Sequence, residues 1–417
     1  MISVSDAATK LGVSIDTIRR WEKKGLIKGV RSPRNVRLFD EAELARAHRK
    51  FVGGEFDHRF EILRAKTKTR FTSIELFAGA GGLALGLENA GFRHSLLVEI
   101  DRYAAATLKL NRPLWNTVCG DAAEVDYRGY RGKVDIVTGG FPCQAFSYAG
   151  NQLGFEDARG TLFYQLARCI KEVQPKIAVG ENVRGLLVHD GGKTLQAMLD
   201  ILDEIGYRAA FKVLRAQYLD VPQKRERLII IAVRKDLKMP ALFPIEKDYT
   251  VSLREALADV PKSDYQRYSP KKEKVLKLVP PGGYWRDLPP EVQREYLGRS
   301  FFLSGGKTGM ARRLSWDEPS LTLTCAPAQK QTERCHPEET RPLTVREYAR
   351  IQSFPDDWSF VGSVGQQYKQ IGNAVPVNLG YHVGRCLIAM LQRKPAADMQ
   401  VVKPSSVVEH MQRRLEI

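Results

Sequence analysis

The segment Phe71-Thr-Ser-Ile-Glu-Leu-Phe77 runs directly into the glycine-rich loop Ala78-Gly-Ala-Gly-Gly82 and then into a helical pattern over residues 83–89. A short apolar strand, a glycine turn and a helix, in this order, are typical of the first unit of a doubly wound α/β fold. Glycines at such a turn let a ligand approach the backbone and face the N–H groups of the helix. We therefore expect a mostly parallel sheet with a ligand site after its first strand.

Acidic residues follow the next two predicted strands. Residues 95–99 form a strand pattern that ends in Glu99, about 20 residues after the loop, where such folds bind a ribose hydroxyl. Asp121 follows a short strand ending near Gly120, where it could accept a hydrogen bond from an adenine amino group. The loop lacks the GxGxxG spacing of dinucleotide-binding proteins, so the pattern favours S-adenosylmethionine, which needs no pyrophosphate cradle.

A thiol, a carboxylate and two arginines are expected at the same edge of the sheet. Gly139-Gly-Phe-Pro-Cys143 follows the predicted strand 134–138, and ligands bind beyond the carboxyl ends of strands in such folds. A lone cysteine is usually a buried, inert residue, but this loop context favours a reactive one. Glu181 and Asn182 end another strand pattern, and Gln223-Lys-Arg225-Glu-Arg227 precedes the apolar run 228–233.

The composition limits the function classes. The chain has 417 residues, a net charge of +17 and 43% hydrophobic residues, which predicts two or three globular domains and a polyanionic partner. Nucleic acid is favoured over an anionic membrane surface. No apolar run approaches the ~20 residues that span a bilayer, and no secretory leader is evident. The six cysteines lack a CxxC pair, so we expect thiols, no metal site and a cytoplasmic protein.

Residues 1–72 carry 17 Lys and Arg against nine Asp and Glu, which indicates a separate basic module. Ile15, Ile18 and Trp21 fall at helical spacing in the second of two short predicted helices, and a basic hairpin-like stretch follows. VSDAATKLGVSIDTIRRWEKKGLI and NVRLFDEAEL resemble the winged helix-turn-helix of the MerR family, which implies an all-α (winged) module that binds DNA. The side chains expected to contact DNA are Thr17, Arg19, Arg20, Lys23, Arg34 and Arg37.

Six motifs, FAGAGG, GGFPCQAFS, GENV, QKRERLIIIAV, RPLTVREYARIQSFPDDW and QIGNAVPVNLG, closely resemble those of the cytosine-5 DNA methyltransferases, and they occur in that family's order. The resemblance covers about residues 72–392. It implies the following division of the chain: a helix-turn-helix at 1–50, a linker at 51–71, a catalytic domain at 72–240 and 342–392, a target-recognition domain at 241–341, and a tail at 393–417.

The resemblance also assigns roles. Cys143 would be the nucleophile that adds to C6 of cytosine, Glu181 would bind the ring N3 and amino group, and Asn182 would brace the cysteine loop. Arg227 and Arg225 would hold the base carbonyl. Carbonyls of Phe141 and Pro142 would read the amino group of the flipped-out base. S-adenosylmethionine would be held by Phe77, Gly79, Gly81, Gly82, Glu99, Asp121, Pro142, Asn373 and Val375.

The interval 241–341 breaks the strand-helix rhythm with Pro-Pro and Gly-Gly pairs, and we expect an irregular, β-rich domain there. Residues 242–340 hold 16 basic and 14 acidic residues, so charge must be segregated if this domain binds DNA. Arg312 and Arg313 are the expected groove-side residues. An ordinary soluble domain with a mixed surface is the alternative interpretation. The tail at 393–417 shows a weak helical pattern in Val407, Met411 and Leu415.

The sequence thus predicts a DNA cytosine-5 methyltransferase, the modification enzyme of a restriction-modification or similar bacterial system. A cognate restriction nuclease is a possible partner, as is the protein's own promoter through residues 1–50. Two alternatives stay open, a transcriptional autoregulator that retains a methyltransferase body and an RNA cytosine-5 methyltransferase.

Overall fold

The computed structural model describes residues 1–11, 13, 15–23, 26–32, 36–51, 60–141, 161–303 and 307–407. The helices are α1 (Val4–Leu11), α2 (Ile15–Lys23), α3 (Glu41–Phe51), α4 (Gly82–Ala90), α5 (Arg102–Asn111), α6 (Leu162–Val173), α7 (Lys193–Glu204), α8 (Leu253–Ala256), α9 (Pro270–Lys277), α10 (Pro290–Leu297), α11 (Val345–Ile351), α12 (Val364–Asn373) and α13 (Val377–Gln392). The strands are β1 (Ile2–Ser3), β2 (Gly29–Arg31), β3 (Arg37–Phe39), β4 (Thr72–Leu76), β5 (Arg93–Glu99), β6 (Thr117–Cys119), β7 (Ile136–Gly140), β8 (Ile177–Val183), β9 (Tyr207–Arg215), β10 (Gln223–Lys224), β11 (Glu226–Arg234), β12 (Ala241–Pro244), β13 (Ser320–Leu321) and β14 (Met399–Val402).

The central sheet has the strand order β6-β5-β4-β7-β8-β11-β9. Its strands are parallel except β11, which pairs antiparallel with both β8 and β9. The strands are apolar on both faces because helices cover both sides, with α6 and α7 on one face and α4 and α13 on the other. The chain order reverses between β4 and β7, and such a switch point leaves a crevice at the carboxyl ends of the strands. The predicted doubly wound α/β fold is confirmed.

The C-terminal helix α13 packs closely on α4. A Cβ atom at Gly86 would lie 2.5 Å from the carbonyl oxygen of Val377 and 2.7 Å from Cα of Gly380, so glycine permits this approach. The contact places the last of the six motifs, QIGNAVPVNLG at residues 370–380 (the late motif), beside the helix that follows β4. Val364–Gln392 is long and apolar enough to cross a membrane, but it comprises α12 and α13, and 78% of its most apolar window is buried. This burial is typical of core helices.

The interval 241–341 is irregular, but the prediction that it is β-rich is wrong. In its described part the strands are β12 and the two-residue β13, whereas α8, α9 and α10 are helices. Pro270 and Pro290 stand in the first turns of α9 and α10, where the missing N–H of proline costs nothing, so these prolines begin helices. An apolar cluster around Trp285, Tyr296 and Met310 holds the interval together.

The tail contributes a strand to the body. β14 pairs antiparallel with β12, and β12 packs in the same apolar cluster as α13. The four residues Met399–Val402 are too few to distinguish the alternation of a strand from a helical pattern, so the sequence does not predict this strand. The weak helical pattern of the tail falls mostly on residues 408–417, which lie outside the described residues.

The front module forms the expected helix-turn-helix around a small core that includes Ile18, Trp21, Phe39 and Leu44. Asp40 accepts hydrogen bonds from Ala42 and Glu43 and so begins α3. The module is not all-α, because β1, β3 and β2 form a three-stranded antiparallel sheet. Strands β2 and β3 provide the wing that the MerR resemblance implies.

Candidate active site

The loop between β4 and α4 has the backbone geometry of a ligand cradle. Phe77 and Gly79 are left-handed, with φ of 57° and 54°, and the N–H of Gly79 donates to Oε2 of Glu99 over 2.7 Å. A Cβ atom at Gly79 would meet no described atom within 4 Å, so this position faces open space. At Gly82, by contrast, a Cβ atom would lie 2.1 Å from the carbonyl oxygen of Val375, which places the late motif against the start of α4.

Glu99, at the end of β5, is buried, and its carboxylate orders two backbone segments. Oε1 accepts a hydrogen bond from the N–H of Asp101 over 2.7 Å, and Oε2 accepts the one from Gly79. Burial raises the pKa of Glu99, and these hydrogen bonds oppose the rise. Asp121, after β6, is half-buried and its Oδ1 accepts from the N–H of Ala123.

A cavity of about 920 Å³ opens at the carboxyl ends of the strands. It is lined both by the residues expected to hold a cofactor and by those expected to act on a base. The predicted residues that line it are Phe77, Gly79, Gly82, Glu99, Asp121, Phe141, Glu181, Asn182, Arg225, Arg227, Asn373 and Val375. Gly81 does not line it, because its Cα faces Leu108 and Trp358. Pro142 and Cys143 lie outside the described residues.

Glu181 and Arg227 form an ion pair at the wall of this cavity. Nε of Arg227 lies 2.7 Å from Oε1 of Glu181, and each side chain is 12% exposed. The two residues come from neighbouring strands, β8 and β11, so the sheet fixes their separation. A short, charge-assisted contact of this kind orients both side chains at the wall of the cavity.

Asn182 is buried next to this pair. Its Nδ2 donates to the carbonyl oxygen of Phe141 over 2.9 Å, and Phe141 packs edge-on against Phe163. Phe141 ends the described part of the GGFPC motif. The contact supports the expectation that Asn182 braces the segment leading to Cys143.

Arg225 has a different environment from the one its motif predicts. Its guanidinium is 1% exposed and donates to the carbonyl oxygens of Leu323, Gly372 and Ala374. Burial lowers its pKa to about 9. The assignment of Arg225 to a base carbonyl stays a prediction: it lines the cavity, but its terminal nitrogens donate to backbone carbonyls and tie the chain between β10 and β11 to residues 372–374.

Three further titratable groups that sequence reasoning missed line the cavity. Glu75 on β4 is 2% exposed, and burial raises its pKa to about 8, against hydrogen bonds from Thr138 and the backbone of Ala84. Lys369 on α12 lies 2.9 Å from Oδ2 of Asp101 across the cavity. A glutamate within the apolar segment 71–77 is a visible signal for the first. The pairing of Lys369 has no such signal because it joins residues 268 apart.

The residues expected to contact DNA differ in their surroundings. Arg313 is 3% exposed and donates to the carbonyl oxygens of Leu276, Val279 and His336, so its prediction as a groove-side residue is wrong. Arg312 is half-buried over the ring of Tyr284. In the front module Arg19 is exposed, Thr17 is half-buried, and Arg37 pairs with Glu22 at 3.0 Å. Arg34 and the side chains of Arg20 and Lys23 lie outside the described residues.

Comparison with known proteins decides the family. Residues 71–389 match the family model "C-5 cytosine-specific DNA methylase". The chain belongs to this family. The type II methyltransferase M.Eco47II of Escherichia coli is 53% identical over 403 residues, which cover 94% of this chain and 96% of that protein. The type II methyltransferase M.Sau96I of Staphylococcus aureus is 51% identical over 347 residues, covering 81% and 80%.

The fold comparison agrees with this assignment. The crystal structure of Spodoptera frugiperda DNMT2 has a TM-score of 0.53 at 18% identity and covers 76% of this chain and 99% of that one. Residues 3–39 match the model of the MerR family regulatory proteins. The family assignment makes this chain a C-5 cytosine DNA methyltransferase that acts on DNA, with a methyl donor of the S-adenosylmethionine type, and both relatives named above are type II methyltransferases.

Proposed function

We propose that this methyltransferase transfers a methyl group to C5 of a cytosine rotated out of a specific duplex sequence, through a covalent bond between Cys143 and C6. One observation supports this most: a single cavity is lined by the glycine loop with Glu99 and Asp121, and also by the Glu181–Arg227 pair. A methyl donor and a cytosine ring bound there would lie side by side.

The cavity residues fit S-adenosylmethionine. Gly79 offers an open, left-handed position where a ligand can touch the backbone, and a side chain at this position would fill that space. Glu99 and Asp121 would bind the ribose hydroxyls and the adenine amino group, and Phe77, Asn373 and Val375 would complete the wall. When bound, the cofactor supplies a methyl group on a sulfonium.

The chain's own residues would activate the base. The Cys143 thiolate adds to C6, and the electron pair of the C5–C6 double bond then makes C5 nucleophilic. Glu181 would share a proton with N3 of the base, which becomes protonated as C6 is attacked, and accept a hydrogen bond from the exocyclic amine, while Arg227 holds Glu181 in place and faces the base carbonyl. After C5 gains the methyl group, the C5 proton leaves to a base and the Sγ–C6 bond breaks.

Rotation of the cytosine out of the duplex costs a few kcal/mol of stacking and pairing. The carbonyls of Phe141 and Pro142 would offset part of this by accepting from its amino group. Phe141 is fixed by Asn182 and Phe163, so its carbonyl is held in place before the base arrives. The front module is proposed to add contacts to DNA through Arg19 and the other basic residues of α2 and the wing.

The test is transfer of tritiated methyl groups to plasmid DNA and to tRNA by the wild type and two single-thiol variants. Cys143→Ser should lose transfer while retaining S-adenosylmethionine binding by calorimetry, and Cys119→Ser, at an exposed thiol, should keep both. Transfer by Cys143→Ser would reject the covalent step, and incorporation into tRNA alone would reject the duplex substrate. Nanopore sequencing of host DNA expressing the protein would identify the target sequence.

The front module also makes an autoregulatory role a second candidate, because residues 3–39 match a family of regulatory proteins. Footprinting on the DNA upstream of the protein's own coding sequence tests it, and the absence of a protected site would reject it. A cognate nuclease and a cytoplasmic location stay predictions. Survival of a host with and without the methyltransferase when the neighbouring open reading frames are expressed would reveal a nuclease.

A further inference from the structure

A second concave surface adjoins the active-site cavity. This basic cleft, of about 350 Å³, shares Val183, Arg225 and Arg227 with the cavity and continues away from it. Its lining residues are Val183, Arg184, Gly185, Arg215, Gln217, Lys224, Arg225, Glu226, Arg227 and Thr322. Five of these side chains are basic and one is acidic. A polyanion that extends outward from the active site would therefore be attracted to this surface.

The outer cations of the basic cleft are held by carboxylates that an anion can replace. Nη1 of Arg184 lies 2.7 Å from Oε2 of Glu226, and Nζ of Lys224 lies 2.7 Å from Oε2 of Glu318. Arg215 is paired with Glu246. Glu246 is 14% exposed and accepts from both Nε and Nη2 of Arg215, so this pair is the strongest of the three. In the Arg184–Glu226 and Lys224–Glu318 pairs the cations are 54% and 39% exposed, and ion pairs that exposed are worth at most about 1 kcal/mol. A bidentate phosphate contact to arginine can therefore compete with them.

The far end of the basic cleft touches the front module. Tyr218, three residues beyond Arg215, carries two guanidinium groups on its ring. The carbon of the Arg215 guanidinium lies 4.7 Å from the ring centroid, and that of Arg46 lies 4.9 Å from it. Arg46 belongs to α3 of the front module. The aromatic ring thus joins the basic surface of the body to that of the module.

Residues 61–63, which connect the front module to the body, are anchored close to Tyr218. Asn378 accepts from the N–H of Leu63 over 3.0 Å, and its Nδ2 donates to the carbonyl oxygens of Glu61 and Asp220, at 2.9 and 2.8 Å. Asp220 is two residues from Tyr218. The eight residues 52–59 separate α3 from this anchored segment, and because a chain of that length spans at most ~30 Å, the module stays within that distance of the segment.

We propose that the front module binds the same duplex as the active site, on the flank that leaves through the basic cleft, and that Arg46, Arg215 and Lys224 contact its phosphates. The partner surface is thus the phosphate backbone flanking the target cytosine, continuous with the methylated site. This inference rests on the proposed function. It differs from the autoregulatory role because it needs no second DNA site.

The test compares two duplexes that carry one target site, of ~12 and ~36 base pairs, the longer one adding about one helical turn on each side. The wild type should have a KM for the long duplex about tenfold lower than for the short one, with equal kcat. KM for the long duplex should also rise more steeply with salt, because more counterions are released from it. This measurement needs no variant.

Charge reversal at Arg46 provides the matched comparison. Arg46→Glu should raise KM for the long duplex about tenfold and leave the short duplex unchanged. Lys238→Glu makes the same charge change at an exposed position beyond the opposite end of β11, and it should change neither KM. Equal KM values for both duplexes in the wild type, or faster methylation of both by Arg46→Glu, would overturn the inference. No methylation of either duplex by the wild type would instead reject the proposed function.

Discussion

Two pairs of arginines lie close together in sequence, Arg225 and Arg227 at the cavity and Arg312 and Arg313 in the interval 241–341. In each pair the two guanidinium groups have opposite surroundings. Arg225 and Arg313 are buried and donate to backbone carbonyls from distant segments. Arg227 faces Glu181 in the cavity, and Arg312 covers the ring of Tyr284. In each pair one arginine ties distant backbone segments together, and we predict that the other contacts the bound DNA.

The largest effect is expected at Glu181, which pairs with Arg227 in the cavity. Glu181→Gln keeps the shape of the side chain but removes its charge and its ability to share a proton with the base. We expect kcat to fall about 10³-fold, within the range for loss of a general acid-base group. S-adenosylmethionine binding, measured by calorimetry, should stay within about twofold. A variant with near-normal kcat would show that the Glu181–Arg227 pair is structural.

The next prediction concerns Arg313, a buried arginine of the interval 241–341. Arg313→Ala leaves several carbonyl oxygens without a donor inside the protein, which costs about 3 kcal/mol. The melting temperature should fall by roughly 3–4 °C, because the entropy of unfolding grows with the length of the chain. Arg312→Ala is the matched control at the adjacent position, and it should shift the melting temperature by less than about 2 °C. Equal shifts in the two variants would contradict the division of the pair.

A smaller effect is expected at Arg225, which joins β11 to the late motif. Arg225→Lys retains the charge but cannot donate to Leu323, Gly372 and Ala374 together. Because residues 372–375 line the cofactor side of the cavity, KM for S-adenosylmethionine should rise about tenfold while kcat changes little. Arg227→Lys should show the reverse, a fall in kcat with KM for the cofactor retained. Initial-rate kinetics on the two variants distinguishes the outcomes.

The same contrast explains which features are predictable from the sequence. Glycine turns, strand-end acids and apolar runs are local patterns, and they suffice to predict that Gly79, Glu99 and Glu181 lie at one edge of the sheet. The environments of Arg225 and Arg313 depend on carbonyls contributed by segments up to 149 residues away, and no local pattern carries that information. The prediction that the interval 241–341 is β-rich is wrong for a similar reason, because a proline can stand in the first turn of a helix as well as at the end of a strand.

Glu75 is the acidic counterpart of the buried arginines, and its effect develops gradually with pH. Burial raises its folded-state pKa to about 8, above its unfolded value near 4.5. Stability due to the bound proton is therefore complete below about pH 4.5 and is lost as the pH rises to about 8. Glu75→Gln mimics the protonated form and should gain up to about 1 kcal/mol per pH unit relative to the wild type within this window. Melting temperatures of both proteins between about pH 5 and pH 9, with Glu124→Gln at an exposed position as the control, would reveal it. Parallel curves for Glu75→Gln and the wild type would mean that Glu75 is charged in the folded protein and that solvent or a cation reaches it through the cavity.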